Sequence, residues 1–186
     1  MSPPLPVVRA ADIAAASVTK SHFLNPAAAR QSAAVSDLAP GGGMDSCPLW
    51  LNQLEPGAES TEMHHHLTDS EWLYILSGTA ELRLTPADAR DTSGGSGLIG
   101  ATETAPIETV PVAEGDYVAF PAGELGGGYW AHTLIGGPGG VKYLVGGMRS
   151  ASDVCVYPLK GKTLFIRRPG TSRAIVDTDL LEPLQS

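Results

Sequence analysis

The stretch G-A-E-S-T-E-M-H-H-H-L-T-D-S-E-W-L-Y-I-L-S-G, from Gly57 to Gly78, decides how this chain is read. His64 and His66 are separated by one residue. On a β-strand, residues i and i+2 point to the same side, so the two imidazoles project together. The next residues, L-T-D-S, are of the polar types that a tight bend needs, and Glu71 follows them. Then comes W-L-Y-I-L, an apolar and aromatic run typical of a buried strand, and the turn signal Ser77-Gly78. The local expectation is strand, bend, strand, with His64, His66 and Glu71 brought together. Two imidazoles and a carboxylate suit a divalent first-row metal with coordination positions left open. The plainer alternatives are a loose histidine tract or an accident beside a turn, since short motifs carry a false-positive risk.

Around this stretch lies a chain of 186 residues, enough for one domain with a sizeable core and some surplus. It is 42% hydrophobic and only 17% charged, with 22 Gly and 15 Pro, which suggests an all-β protein of many short strands. The formal net charge of -8 argues against a nucleic-acid or anionic-membrane surface. Cys47 and Cys155 make no disulfide framework; two reduced thiols are the default, with a single bridge as the alternative. The start M-S-P-P-L-P lacks the features of a signal peptide, and no apolar stretch is long enough to span a bilayer. A cytoplasmic location is therefore the expectation.

Working outward, residues 1–45 read as an N-terminal arm with short helical segments, one in Ala10–Lys20 and a turn or two in the Ala-rich Ala27–Leu38. Residues 46–167 read as the barrel. Cys47–Leu54 is its first strand, and Thr79–Thr85 alternates with Ala80, Leu82 and Leu84 on one face. Residues 86–109, poor in large apolar side chains, form an insertion loop, either a lid or a surface excursion. Further strands are expected at Val110–Val112, Tyr117–Phe120, Val141–Val145, Val154–Tyr157 and Thr163–Arg167. Residues 168–186 read as a polar C-terminal tail.

The order of these motifs resembles the cupin superfamily, as a small single-domain member. The first cupin motif is matched by Gly57, His64, His66, Glu71 and Gly78, with one extra residue between Gly57 and His64. The second is matched by Gly115, Pro121 and Gly123. Its histidine is delayed by the insertion E-L-G-G-G-Y-W-A, so His132 is the candidate, and Gly136 replaces the usual Asn. The resemblance covers roughly Leu49–Pro158. It implies a double-stranded β-helix, or jelly roll, with one metal ion at the barrel mouth held by His64, His66, Glu71 and His132. Such a ligand set does not choose among Fe, Mn, Ni and Zn.

By alternation His65 points away from the metal and packs, while Glu62 is either a supporting carboxylate or a surface one. Trp50, Trp72, Tyr74, Phe120, Tyr129 and Trp130 are the candidate walls of a substrate pocket, with ordinary barrel core as the competing role. Tyr129, and Glu124 as an acid or base, lie in the irregular segment beside His132. The glycine-rich bulge and Gly136 suggest an open mouth. The expected function is metal-dependent chemistry on a small, partly apolar organic molecule. Family frequency leans toward oxygenase-type chemistry, dioxygenase-like. The alternatives are a Lewis-acid isomerase, cyclase, decarboxylase or lyase, or a non-catalytic ligand-binding cupin. The resemblance also implies a homodimer paired through the arms, with Leu164 and Ile166 as contact candidates.

Overall fold

A computed structural model describes residues 6–40, 44–87, 106–122, 130–168 and 172–181. One short helix, α1 (Ala10–Ala15), precedes eleven strands: β1 (Val18–His22), β2 (Asn25–Ala34), β3 (Leu49–Leu54), β4 (His65–His66), β5 (Ser70–Pro86), β6 (Glu108–Ala113), β7 (Tyr117–Phe120), β8 (Trp130–Met148), β9 (Ser152–Tyr157), β10 (Lys162–Arg167) and β11 (Ser172–Asp177). The pairing is antiparallel throughout. A seven-stranded sheet runs β1-β2-β3-β8-β5-β6, with β7 also on β5, and a four-stranded sheet runs β11-β10-β9-β4. The architecture is the expected all-β jelly roll.

The long strands β5 and β8 pair along almost their whole length, with the register broken between Ile75 and Ser77 and between Gly78 and Ala80. Ser77-Gly78 is thus a bend within a continuous strand, not its end. Gly78 takes φ +84°, and a Cβ there would lie 2.3 Å from the Gly140 carbonyl oxygen, so only glycine serves at this corner. Glu71 pairs with Gly147 and Leu84 with His132. From position 71 to position 84 is about 44 Å of extended chain, at roughly 3.4 Å per residue. Yet the Glu71 and His132 side chains meet at 3.1 Å. The ladder is rolled until its two ends touch.

Period-two alternation on β5 turns Leu73, Ile75, Ala80 and Leu82 inward, where they pack with Leu54, Val112, Leu134, Val141 and Tyr143. A smaller cluster joins Cys155, Tyr157 and Leu164, with Ile166 packed against it. Leu164 is buried within its own molecule. Cys47 and Cys155 are both free thiols.

Three segments differ from the sequence expectation. Of the Ala-rich Ala27–Leu38, the residues up to Ala34 belong to strand β2, and the expected helical turn is confined to a 3-10 turn at Ser36–Leu38. Alanine prefers helix by a few tenths of a kcal/mol, and pairing to β1 and β3 overrides it. The supposed polar tail contains β11, which pairs with β10 residue for residue. Gly136 does not open a mouth, because the backbone at residues 55–58 presses against it and a Cβ would meet the Glu55 carbonyl oxygen at 2.3 Å. Of the expected 86–109 loop, residues 88–105 lie outside the described residues. Pro86 closes β5 and Glu108 and Thr109 open β6, because these residues pair in the ladder rather than in a loop.

Candidate metal centre

The histidine segment bridges the two sheets. His64 and His132 exchange backbone hydrogen bonds, His132 N to His64 O at 2.9 Å and His64 N to His132 O at 3.2 Å. Their rings are thereby brought to 4.8 Å between centroids. Two residues on, His66 pairs with Cys155 of β9, and its ring lies 5.0 Å from that of His64. After the bend at Leu67–Asp69, β5 opens at Ser70, and its second residue is Glu71, whose Oε1 lies 3.1 Å from His132 Nε2.

His64, Glu71 and His132 form a set whose ligating atoms all lie within 4.8 Å of one another. His66 stands beside this set: its own close groups are with His64 and Cys155, and with Asp69 and Asp153. Three of the four expected ligands are thus drawn tightly together and the fourth adjoins them.

The electrostatics fit a cation. His64 Nδ1 donates to the Glu62 carbonyl at 2.9 Å, which leaves Nε2 with its lone pair free. Burial, with the neighbouring His132 and His66, holds the His64 pKa well below the usual imidazole value, so the ring is neutral. Burial alone would raise the Glu71 pKa. The hydrogen bond and charge of His132, together with His64 and His66, outweigh it and bring the pKa to about 2. His66 Nδ1 is held by Asp153 Oδ2 at 2.6 Å, again leaving Nε2 free. His132 Nδ1 is buried without a partner among the described residues. Burial lowers the His66 pKa, but the hydrogen bond to Asp153 and the charges of Glu71, Asp153 and Asp69 outweigh it and raise it, so a cation there would displace a proton. Imidazoles beside an ionised carboxylate are the donor set a divalent first-row ion takes.

The supports are equally specific. Asp153 also accepts from Thr68 N, Thr68 Oγ1 and Asp69 N. Burial would raise its pKa, but the His66 contact and these donors hold it well below the usual carboxylate range. Asp69 is paired with Arg168 at 2.9 Å. Phe120 lies flat against the His132 ring at 3.5 Å. His65 is buried with neither ring nitrogen bonded, and burial, His66 and His132 bring its pKa down to about 4. Glu62, expected at the surface as one option, is buried, with Lys160 at 3.7 Å.

Two cavities meet at Glu71 and His132. The larger, about 380 Å³, is walled by Trp50, Leu73, Leu82, Leu134 and Val145 on its apolar parts. Its polar lining is Ser32, Asn52, Ser60, Thr61, Thr133 and Tyr143, with Lys20, Arg30 and Arg173. The smaller, about 100 Å³, lies on the other side and includes His65, His66, Phe120 and Trp130.

Of the expected wall residues, Trp50 lines the larger cavity and Phe120 and Trp130 the smaller. Trp72 and Tyr74 line neither. With Glu71 and Leu73 pointing inward, alternation sends both to the outer face, where Trp72 packs against Tyr117 and Tyr74 is exposed. Glu124 and Tyr129 lie outside the described residues. The sequence reading missed Lys20, Arg30 and Arg173 because it treated their segments as arm and tail. The alternation of Lys20 with Val18, and of Arg30 with Ala28 and Ser32, was the available signal.

Comparison with known proteins adds two relatives. A crystal structure from Acidithiobacillus ferrooxidans, provisionally described as a sugar phosphate isomerase, is 30% identical over 97% of both chains with a TM-score of 0.73. A second, from Silicibacter pomeroyi and described as a sugar phosphate isomerase from a cupin superfamily, is 22% identical. It covers 88% of this chain and 86% of its own with a TM-score of 0.61, and it bears on the fold alone. No protein-family model matches the sequence, and neither does any curated protein sequence.

Proposed function

Since this chain belongs to the cupin superfamily, we propose that it is a metal-dependent isomerase of the non-redox kind, acting on a small, hydroxyl-rich, sugar-like molecule. The observation that carries this reading is the meeting of His64, Glu71 and His132 at the buried end of a cavity lined with hydroxyl and amide groups. Support comes also from the relative that is 30% identical and is provisionally described as a sugar phosphate isomerase. The oxygenase lean of the sequence reading has no such support, and the polar lining suits a polyol better than the partly apolar substrate it assumed.

His64, Glu71 and His132 would hold the ion, with His66 beside them. When bound, a divalent ion supplies Lewis-acid polarisation of a carbonyl or hydroxyl oxygen. The chain's own groups do the rest. Ser60 and Thr133, 3.4 Å apart between hydroxyls, offer donors and acceptors to a polyol. Tyr143 is held protonated: burial pushes its phenol up, against the pull of Arg30, to about 12. It therefore donates a hydrogen bond and does not act as a base at neutral pH. The apolar wall of Leu73, Leu82, Leu134 and Val145 excludes water from the carbon skeleton.

The test is aldose–ketose interconversion, followed by NMR in D2O over a panel of sugars and phosphorylated sugars, with the protein loaded separately with Fe, Mn, Ni and Zn. Metal-dependent interconversion is expected, with Glu71→Gln lowering kcat/KM at least about a hundredfold. Metal-dependent oxygen consumption without isomerisation would overturn the reading.

A further inference from the structure

We propose that the outer part of the larger cavity is a phosphate site, in which Arg30, Lys20 and Arg173 hold a phosphomonoester while the remainder of that molecule reaches His64, Glu71 and His132. This deepens the isomerase reading and rests on it only for the reacting end.

Lys20 and Arg30 are direct partners across the β1–β2 ladder and line the same cavity. Like charges directly opposite on neighbouring strands are destabilising. Such a pair is ordinarily relieved by a carboxylate. Among the described residues, Lys20, Arg30 and Arg173 form no ion pair. Of the nearby acids, Glu59 accepts a hydrogen bond from Asn25 at 3.1 Å and Glu62 lies 3.7 Å from Lys160. Neither lines the cavity.

Arg173 arrives from β11, in the other sheet, so cations face the cavity from both layers. The chain has only 12 Lys and Arg and a net charge of -8, and three of those twelve converge here. One Arg30 N–H donates to the Ser60 carbonyl, which fixes the guanidinium while its remaining donors stay available. Lys20 and Arg173 are exposed and Arg30 half-buried, whereas His64 and His132 are buried. The cations therefore sit toward solvent and the ligating groups within. A guanidinium fork with two further cations suits the three oxygens and double charge of a phosphomonoester better than a single carboxylate.

The test uses full-length protein stripped of metal by a chelator. Inorganic phosphate is titrated in by calorimetry, with acetate and an unphosphorylated sugar as comparisons. Saturable phosphate binding is expected, at least about tenfold tighter than either comparison. Lys20→Gln and Arg173→Gln should each weaken it by roughly tenfold, the scale of one charge-assisted hydrogen bond. Both residues are exposed, so these variants remain informative even if Arg30→Gln fails to fold. His64→Ala should lose metal but keep its phosphate affinity. Absence of phosphate binding, unchanged affinity in both cation variants, or equal binding of acetate would each overturn the proposal. Phosphate binding without isomerisation would sink the isomerase reading and leave this site standing.

Discussion

Asp153 offers the sharpest test of how the metal centre is built. It is buried and accepts four hydrogen bonds: from His66 Nδ1 at 2.6 Å, Thr68 N at 3.1 Å, Thr68 Oγ1 at 3.0 Å and Asp69 N at 3.1 Å. Asp153→Ala removes the acceptor and leaves the bend after His66 without its anchor. Breaking a buried, charged network of this kind costs about 3–5 kcal/mol. For a domain of this size that is a fall in Tm of roughly 6–20 °C. Asp153→Asn separates two effects. Its carbonyl oxygen can still accept from Thr68 and Asp69, so the stability loss should be only about 1–2 kcal/mol. Its NH2 group, however, faces His66 Nδ1 and forces that nitrogen to accept. The ring proton then moves to Nε2, the nitrogen that would otherwise face a metal ion. Metal affinity should fall by about 10–100-fold, the usual cost of losing such a support. Guanidinium unfolding of metal-free protein measures the first quantity, and competition with a chromophoric zinc chelator the second. An Asn variant that binds zinc as tightly as the parent would refute His66 as a fourth ligand. An Ala variant that loses less than about 1 kcal/mol would refute Asp153 as the anchor.

Three further outcomes are expected. His22 Nδ1 accepts a hydrogen bond from Leu24 N, and burial, with Arg30, lowers its pKa from 6.5 to about 4. A depressed folded-state pKa contributes stability in full above pH 6.5, and that stability is lost as pH falls toward 4. His22→Gln should therefore flatten the acid side of the stability profile over that window; an unchanged acid slope would count against it. Tyr143 should ionise near pH 12 in ultraviolet titration of the folded protein; its stabilising share is present below 10 and lost between 10 and 12. Finally, a Cβ on Gly147 would lie 1.9 Å from the Ser70 carbonyl oxygen, while one on Gly139 meets nothing within 4 Å. Gly147→Ala should cost about 1–3 kcal/mol and weaken metal binding at the adjoining Glu71, and Gly139→Ala should do neither.

Local pattern made part of this site readable. His64, the bend and Glu71 follow from spacing within one short stretch, and the alternation of Ala80, Leu82 and Leu84 places β5 correctly. His132 could be named despite its displaced position because β8 resumes at Trp130 with the ring already facing Glu71. Trp72 and Tyr74, candidate walls with barrel core as the competing role, face outward instead, as Glu71 inward implies by alternation. The cation-lined wall was hidden for a different reason. Arg30 and Lys20 acquire their meaning only from the pairing of β2 with β3 and β1 with β2, and Arg173 only from β11 folding back on β10. Such pairings are non-local, and an alanine-rich segment carries little periodic contrast to announce a strand.

The rolled β5–β8 ladder gives the metal centre a second meaning. Glu71 and His132 belong to opposite extremities of one continuous ribbon, curled at the Gly78–Gly140 corner. A cation gripped by both would act as a clasp, and its affinity would include the free energy of keeping the ribbon curled. Changes at that remote corner could then loosen the grip without touching a single ligand, making curvature itself a determinant of occupancy.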